Sequence, residues 1–272
     1  MITCPICPHH CQLTETTIGI CGARTEQNGK SFPLNYGHCT ALHMDPIEKK
    51  PLFHFHPETM ILSYGSYGCN MRCTFCQNYG ISMIHHQVGT KMTPKELADQ
   101  AIALVPQGNI GVAFTYNEPT ICPEFIVDTG RRIHEAGLIN VVVSNGFMSP
   151  ETLESLLEVV DAFNFDLKAF TDRFYKEMGG GLEPVKNSIE RAARQKHVEV
   201  TTLIIPGEND SPEEMEALCQ WLASLSPDIP FHISRFFPAY KMADKPPTPP
   251  TTLKELEQIA KKYLNRVHLG NV

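Results

Sequence analysis

Long apolar runs, an excess of basic charge and a secretory leader are all missing from this 272-residue sequence. No stretch approaches the ~18 consecutive apolar residues of a membrane-spanning helix. Lys and Arg number 23 against 30 Asp and Glu, a net charge of −7, which argues against a nucleic-acid surface built from clustered cations. The opening Met1-Ile2-Thr3-Cys4-Pro5 lacks the basic and apolar regions of a signal peptide. The expectation is a cytoplasmic protein with neither nucleic acid nor membrane as a partner. At 42% hydrophobic the chain can bury one large core, with room for a small extension.

Cysteine, by contrast, is abundant. Ten of them in a reducing compartment point to metal ligands rather than disulfides. Cys4, Cys7, Cys11 and Cys21 fall as C-x2-C-x3-C-x9-C in a segment too short for its own apolar core, so a metal is the expected staple. Four thiolates close a tetrahedral zinc site, and they equally hold a [4Fe–4S] cluster. The prolines and histidines around them favour zinc slightly, with free thiols as the plain alternative. Residues 1–58 are expected to form a Cys-rich N-terminal extension with a lead-in hairpin, marked by the Asn28-Gly29 and Asn35-Tyr36-Gly37 turn signals. In the lead-in, Lys49 and Lys50 read as a solvated face.

Cys69, Cys73 and Cys76 are spaced C-x3-C-x2-C. A [4Fe–4S] cube normally takes four thiolates, so three leave one iron open for chemistry. The bland alternatives are a zinc knuckle short of one ligand, or three packed thiols.

Residues 59–272 alternate between strand and helix patterns. Thr93-Pro94-Lys95-Glu96, Ser149-Pro150, Ser211-Pro212 and Thr252-Leu253-Lys254-Glu255 mark helix starts. About six βα units predict a parallel sheet closed part-way, a partial (β/α)6 barrel, with chemistry at the C-terminal strand ends. At those ends stand Tyr116-Asn117-Glu118, Ser144-Asn145-Gly146 and Asp166-Leu167-Lys168. Asn145-Gly146 is also an ordinary turn dipeptide, but several polar clusters around one rim are hard to explain as caps. Cys122 and Cys219 read as core residues.

The Cys69–Cys76 spacing, with Phe75 before the last cysteine, resembles the cluster motif of the radical S-adenosylmethionine (SAM) enzymes. Thr115–Pro119, Ser144-Asn145-Gly146, Asp166-Leu167-Lys168 and Ile205-Pro206-Gly207 are similar to elements of the pyruvate formate-lyase activating enzymes. Tyr116-Asn117 replaces their two glycines, and Val143 stands where they carry a cation-binding Asp. Within this group the chain resembles the AmmeMemoRadiSam family over nearly its whole length, from the N-terminal cysteines through Asp45–Phe55 to Leu269-Gly270-Asn271-Val272.

The resemblance implies a radical SAM fold, and a [4Fe–4S] cluster on Cys69, Cys73 and Cys76 whose open iron chelates SAM. Reductive cleavage then gives a 5′-deoxyadenosyl radical that takes hydrogen from an unassigned substrate, small molecule or protein. An electron donor such as a flavodoxin or ferredoxin is implied as a partner. SAM needs groups for its ammonium, carboxylate and ribose, and Phe75, Asn117, Glu118, Ser144, Asn145, Asp166 and Lys168 are the expected contacts. Two further readings stand beside this one: an activase that makes a glycyl radical on a partner protein, and a non-catalytic zinc or iron–sulfur protein.

Overall fold

The computed structural model describes residues 1–272. Its centre is one eight-stranded sheet whose spatial order follows the chain: β1 (Ala41–Pro46), β2 (Met60–Gly65), β3 (Asn109–Phe114), β4 (Ile139–Ser144), β5 (Ala162–Asp166), β6 (His197–Ile204), β7 (Phe231–Arg235) and β8 (Val267–Gly270). Strands β2 to β8 are parallel, and β1 runs antiparallel against β2 from Ala41↔Gly65 to Pro46↔Met60. No pair joins β1 to β8, so the sheet curls without closing. This is the expected partial barrel.

Helices α1 (Pro94–Ala103), α2 (Pro123–Glu135), α3 (Pro150–Leu157), α4 (Asp172–Glu177), α5 (Leu182–Ala193), α6 (Pro212–Leu225) and α7 (Pro250–Ala260) supply the crossovers of six βα units. Most start where local chemistry directs. Thr93 makes a full capping box with Glu96, and the Ser149 and Ser211 hydroxyls accept from Thr152 N–H and Glu214 N–H. The last helix differs from expectation. It begins at Pro250, two residues before Thr252, and has no side-chain cap. Pro250 presets the helical φ and lacks the N–H that a cap would satisfy, so the chain enters the helix earlier.

The lead-in belongs to the barrel. Residues 41–46 give its edge strand, and residues 47–59 cross the bottom of the sheet. Glu199 on β6, fully buried, accepts from Phe53 N–H at 3.0 Å and His54 N–H at 2.7 Å, and pairs with His197 at 2.9 Å and His232 at 2.6 Å. Asn164 donates to the Pro51 carbonyl at 2.8 Å. These bonds fasten the crossing segment to the lower end of the sheet. No helix is long and apolar enough to cross a membrane.

Candidate active site

The loop after β2 carries the three spaced cysteines, and neighbouring strand ends fix it. Asn117, just past β3, accepts from Ser66 N–H at 2.9 Å and donates to the Tyr67 and Gly68 carbonyls at 3.2 and 3.1 Å. Asn70 donates to the Phe147 carbonyl at 2.6 Å. Gly68 adopts φ +87°, and a Cβ there would sit 2.7 Å from the Cys21 carbonyl oxygen, so only glycine fits.

Cys69, Cys73 and Cys76 together line a cavity of about 340 Å³. Phe75, Asn117, Glu118, Ser144, Asn145, Asp166 and Lys168 line it too, so every residue expected at the rim meets in one place. Burial pushes the Cys69 thiol well above its ordinary range, and Glu118 adds to the effect. Burial likewise raises Cys73 to about 11, partly offset by the Lys168 charge. Binding a metal to such thiols displaces their protons.

Lys168 is the main cation of the rim. Its Nζ lies 3.0 Å from Asp166 Oδ2 and 5.9 Å from the Phe75 ring centre. Burial disfavours its charge, but the Asp166 carboxylate outweighs that and keeps it an ammonium. The backbone N–H of Lys168 donates to the Tyr175 hydroxyl at 3.0 Å. Glu118 organises the opposite side. Its Oε1 accepts from Thr120 Oγ1 at 2.6 Å and Ser144 Oγ at 2.8 Å, and its Oε2 from Asn145 N–H at 2.8 Å. Burial raises its pKa against these donors. Asn145 donates to Asn70 Oδ1 at 2.9 Å and sits 3.8 Å from Cys69 Sγ. Asn117 therefore engages the loop backbone with its whole amide, whereas Lys168 and Asp166 keep free faces toward the cavity.

Other residues were less visible beforehand. Lys50, read as solvated, is only 3% exposed at its side chain and lines the cavity with Lys49. It bonds Asp45 at 2.8 Å and lies 4.8 Å from the Tyr116 ring centre, while Tyr116 Oη donates to the same carboxylate at 2.7 Å. Burial would raise the Asp45 pKa, but Lys50 and Tyr116 outweigh it and hold the carboxyl far below its usual range. The signal was Asp45 itself, an acid beside two lysines in the lead-in. Tyr116 takes φ +72°, the region a glycine occupies freely, and its ring leaves no room for a Cβ at Gly65. Thr201, Leu203, Ser234 and Asn271 also line the cavity. His54 lies in the crossing segment at the lower end, 2.8 Å from His268, and Cys122 and Cys219 are buried.

With this geometry in view, the sequence profile of the radical SAM superfamily matches residues 63–222, the span from β2 to α6 that supplies most of the cavity wall. The chain belongs to the radical SAM superfamily. It is 39% identical to an uncharacterized protein of Methanocaldococcus jannaschii, over 100% of this chain and 81% of that protein. It is 24% identical to the pyruvate formate-lyase-activating enzyme of Clostridium pasteurianum, over 58% of this chain and 67% of that enzyme. Its fold matches a radical SAM methyltransferase from Sphaerobacter thermophilus with a TM-score of 0.61 and 17% identity, covering 79% of this chain and 67% of the other. Membership of this superfamily implies a [4Fe–4S] cluster, SAM and a source of electrons.

The residues present fit those groups. Three thiols share one cavity wall, and an ammonium, carboxylates and hydroxyls face them across it.

Proposed function

We propose that the protein is a radical SAM enzyme that abstracts hydrogen from a small-molecule substrate. Cys69, Cys73 and Cys76 would hold the [4Fe–4S] cluster, which when bound supplies the electron that cleaves SAM to a 5′-deoxyadenosyl radical. The residues have separable tasks. Lys168, kept charged by Asp166, would take the SAM carboxylate. Glu118, Ser144 and Asn145 would set the rim against its amino and ribose groups, and Phe75 would wall the adenosyl side. The observation that carries this reading is the meeting of the three thiols and the Lys168–Asp166 pair around one cavity.

A second reading, a glycyl-radical activase acting on a partner protein, is favoured by the likeness to the Clostridium pasteurianum enzyme. Val143 lines the cavity where the activases carry an acidic residue, which supports the small-molecule reading. Anaerobic reconstitution with SAM and reductant tests the shared chemistry. 5′-Deoxyadenosine should form, and its absence would overturn both readings. Incubation with cell metabolites in deuterated form then separates them: deuterium in 5′-deoxyadenosine from the small-molecule fraction supports the first, and from protein alone the second.

A further inference from the structure

The cavity carries a second cationic site, away from Lys168. Lys49 and Lys50 line it together with the three thiols. Both stand just after β1, where the chain turns to cross the lower end of the sheet. Asp45 on β1 pairs with Ile61, and Ala41 pairs with Gly65. The Asp45 backbone therefore lies the length of Ile61–Gly65 below the strand end that leads into the cysteine loop. At ~3.3 Å per residue that is about 13 Å of depth. Tyr116 spans part of it, entering from the rim beyond β3 with its ring against Gly65 and its hydroxyl on Asp45.

Charge is unbalanced at this depth. Asp45 Oδ1 accepts from Lys49 at 3.1 Å, and Oδ2 accepts from Lys50 at 2.8 Å and from the Tyr116 hydroxyl at 2.7 Å. Two ammoniums share one carboxylate, which leaves one positive charge over. Lys49 is open to solvent, its side chain 66% exposed, but Lys50 is only 3% exposed. A charge taken out of water needs partners for the N–H groups it brings with it. Of the three on Lys50 Nζ, Asp45 takes one and the face of the Tyr116 ring, 4.8 Å away, takes another. The third has no acceptor in the protein. Burial and the Lys49 charge hold the Lys50 pKa below its ordinary value, against the pull of Asp45. An anion in the cavity would supply the missing acceptor and the missing charge together.

The other ionised groups of the lining are already matched. Asp166 pairs with Lys168 at 3.0 Å, and Glu118 accepts from Thr120, Ser144 and Asn145. SAM has one carboxylate, which Lys168 is assigned to take. The Lys49–Lys50 site is left for a different anion, and its single surplus charge suits a carboxylate. A phosphate monoester carries about 1.5–2 negative charges at pH 7, which would overfill the site.

We propose that Lys50, assisted by Lys49, binds a carboxylate of the substrate, which makes that substrate a small carboxylic acid held between the lower end of the cavity and the cysteine loop. The assignment rests on the small-molecule reading above and adds the class of substrate to it.

The test uses the full chain, reconstituted anaerobically and given SAM and excess titanium(III) citrate. Its probe is the small-molecule extract of cells grown in deuterated medium, divided at pH 7 on an anion exchanger into retained and unretained parts. Deuterium in 5′-deoxyadenosine reports the C–D bond that the radical breaks. It should come from the retained part, both before and after treatment with alkaline phosphatase. Deuterium from the unretained part would overturn the assignment and leave the small-molecule reading intact. Loss of deuterium after phosphatase treatment would reveal a phosphate ester and overturn the carboxylate. 5′-Deoxyadenosine free of deuterium with both parts would overturn the small-molecule reading, and the assignment with it. Lys50→Met should lower the deuterated share of 5′-deoxyadenosine about tenfold at limiting extract, as expected for a lost hydrogen bond to a charged group, and more extract should restore it. If that variant does not fold, Asp45→Asn/Lys50→Met removes both charges of the buried pair and should show the same loss. A share that stays unchanged in the folded variant, or that no amount of extract restores, would overturn the role of Lys50.

Discussion

Replacing Lys168 by Met keeps the length of the side chain and removes its charge. Two consequences follow, and the structure gives them different sizes. Asp166 loses its partner at 3.0 Å, but its side chain is 40% exposed and water can solvate it. The pair therefore contributes like other part-exposed ion pairs, about 0–1 kcal/mol, and the melting temperature should fall by no more than about 4 °C. For SAM the loss is larger. A hydrogen bond to a charged group contributes about 1.5–3 kcal/mol, which corresponds to a Kd weakened by roughly 10- to 150-fold. Equilibrium binding of SAM to anaerobically reconstituted protein measures the second effect, and thermal melting of the same samples the first. A variant that melts about 10 °C lower while binding SAM as tightly as wild type would show that Lys168 holds the fold.

Two further predictions concern how the site is held in place. The Glu199 carboxyl is buried, which raises its pKa, but His197, His232 and the His54 and Phe53 amides outweigh this and bring it down to about 2. A carboxyl depressed from 4.5 stabilises the fold above 4.5 and loses that contribution as the pH falls toward 2. Glu199→Gln should therefore be less stable than wild type by about 3 kcal/mol at pH 7, with a gap that narrows at pH 3 in denaturant titrations; a gap independent of pH would refute the charge's role. Arg24, 1% exposed, bonds both oxygens of Glu124 at 2.7 and 3.0 Å and the Ile121 carbonyl at 3.0 Å, fastening the N-terminal unit to the barrel. Arg24→Met should cost toward the low end of about 3–5 kcal/mol and speed proteolysis within residues 1–40, whereas unchanged melting and cleavage would mean the unit docks without it.

Local chemistry was the most legible part of the chain. Thr93 and Ser211 cap as their spacing predicts because a cap involves only four consecutive residues. Thr252 fits the same pattern, yet Pro250 opens the helix first. The rim was legible because polar residues at the ends of apolar strands must face the same opening. The roles within it were less so. Asn117 has the chemistry of a SAM contact but engages the cysteine loop, a choice set by how close that loop passes to β3. Lys50 and Glu199 were hidden because both depend on how residues 47–59 cross the barrel's lower end: Glu199 meets Phe53 and His54 almost 150 residues away, and Lys50 is folded in against Asp45 and Tyr116. Nothing in the local pattern distinguishes a lysine on such a plug from one on a solvated face.

The central claim is that Cys69, Cys73 and Cys76 carry the chemistry, and one measurement tests it most directly. Wild-type protein and the variant with all three replaced by alanine are reconstituted anaerobically, given SAM and excess titanium(III) citrate, and assayed for 5′-deoxyadenosine. The wild type should form it and the variant should form none, although the variant's N-terminal cysteines remain intact. Equal amounts of 5′-deoxyadenosine from the two proteins would contradict the account.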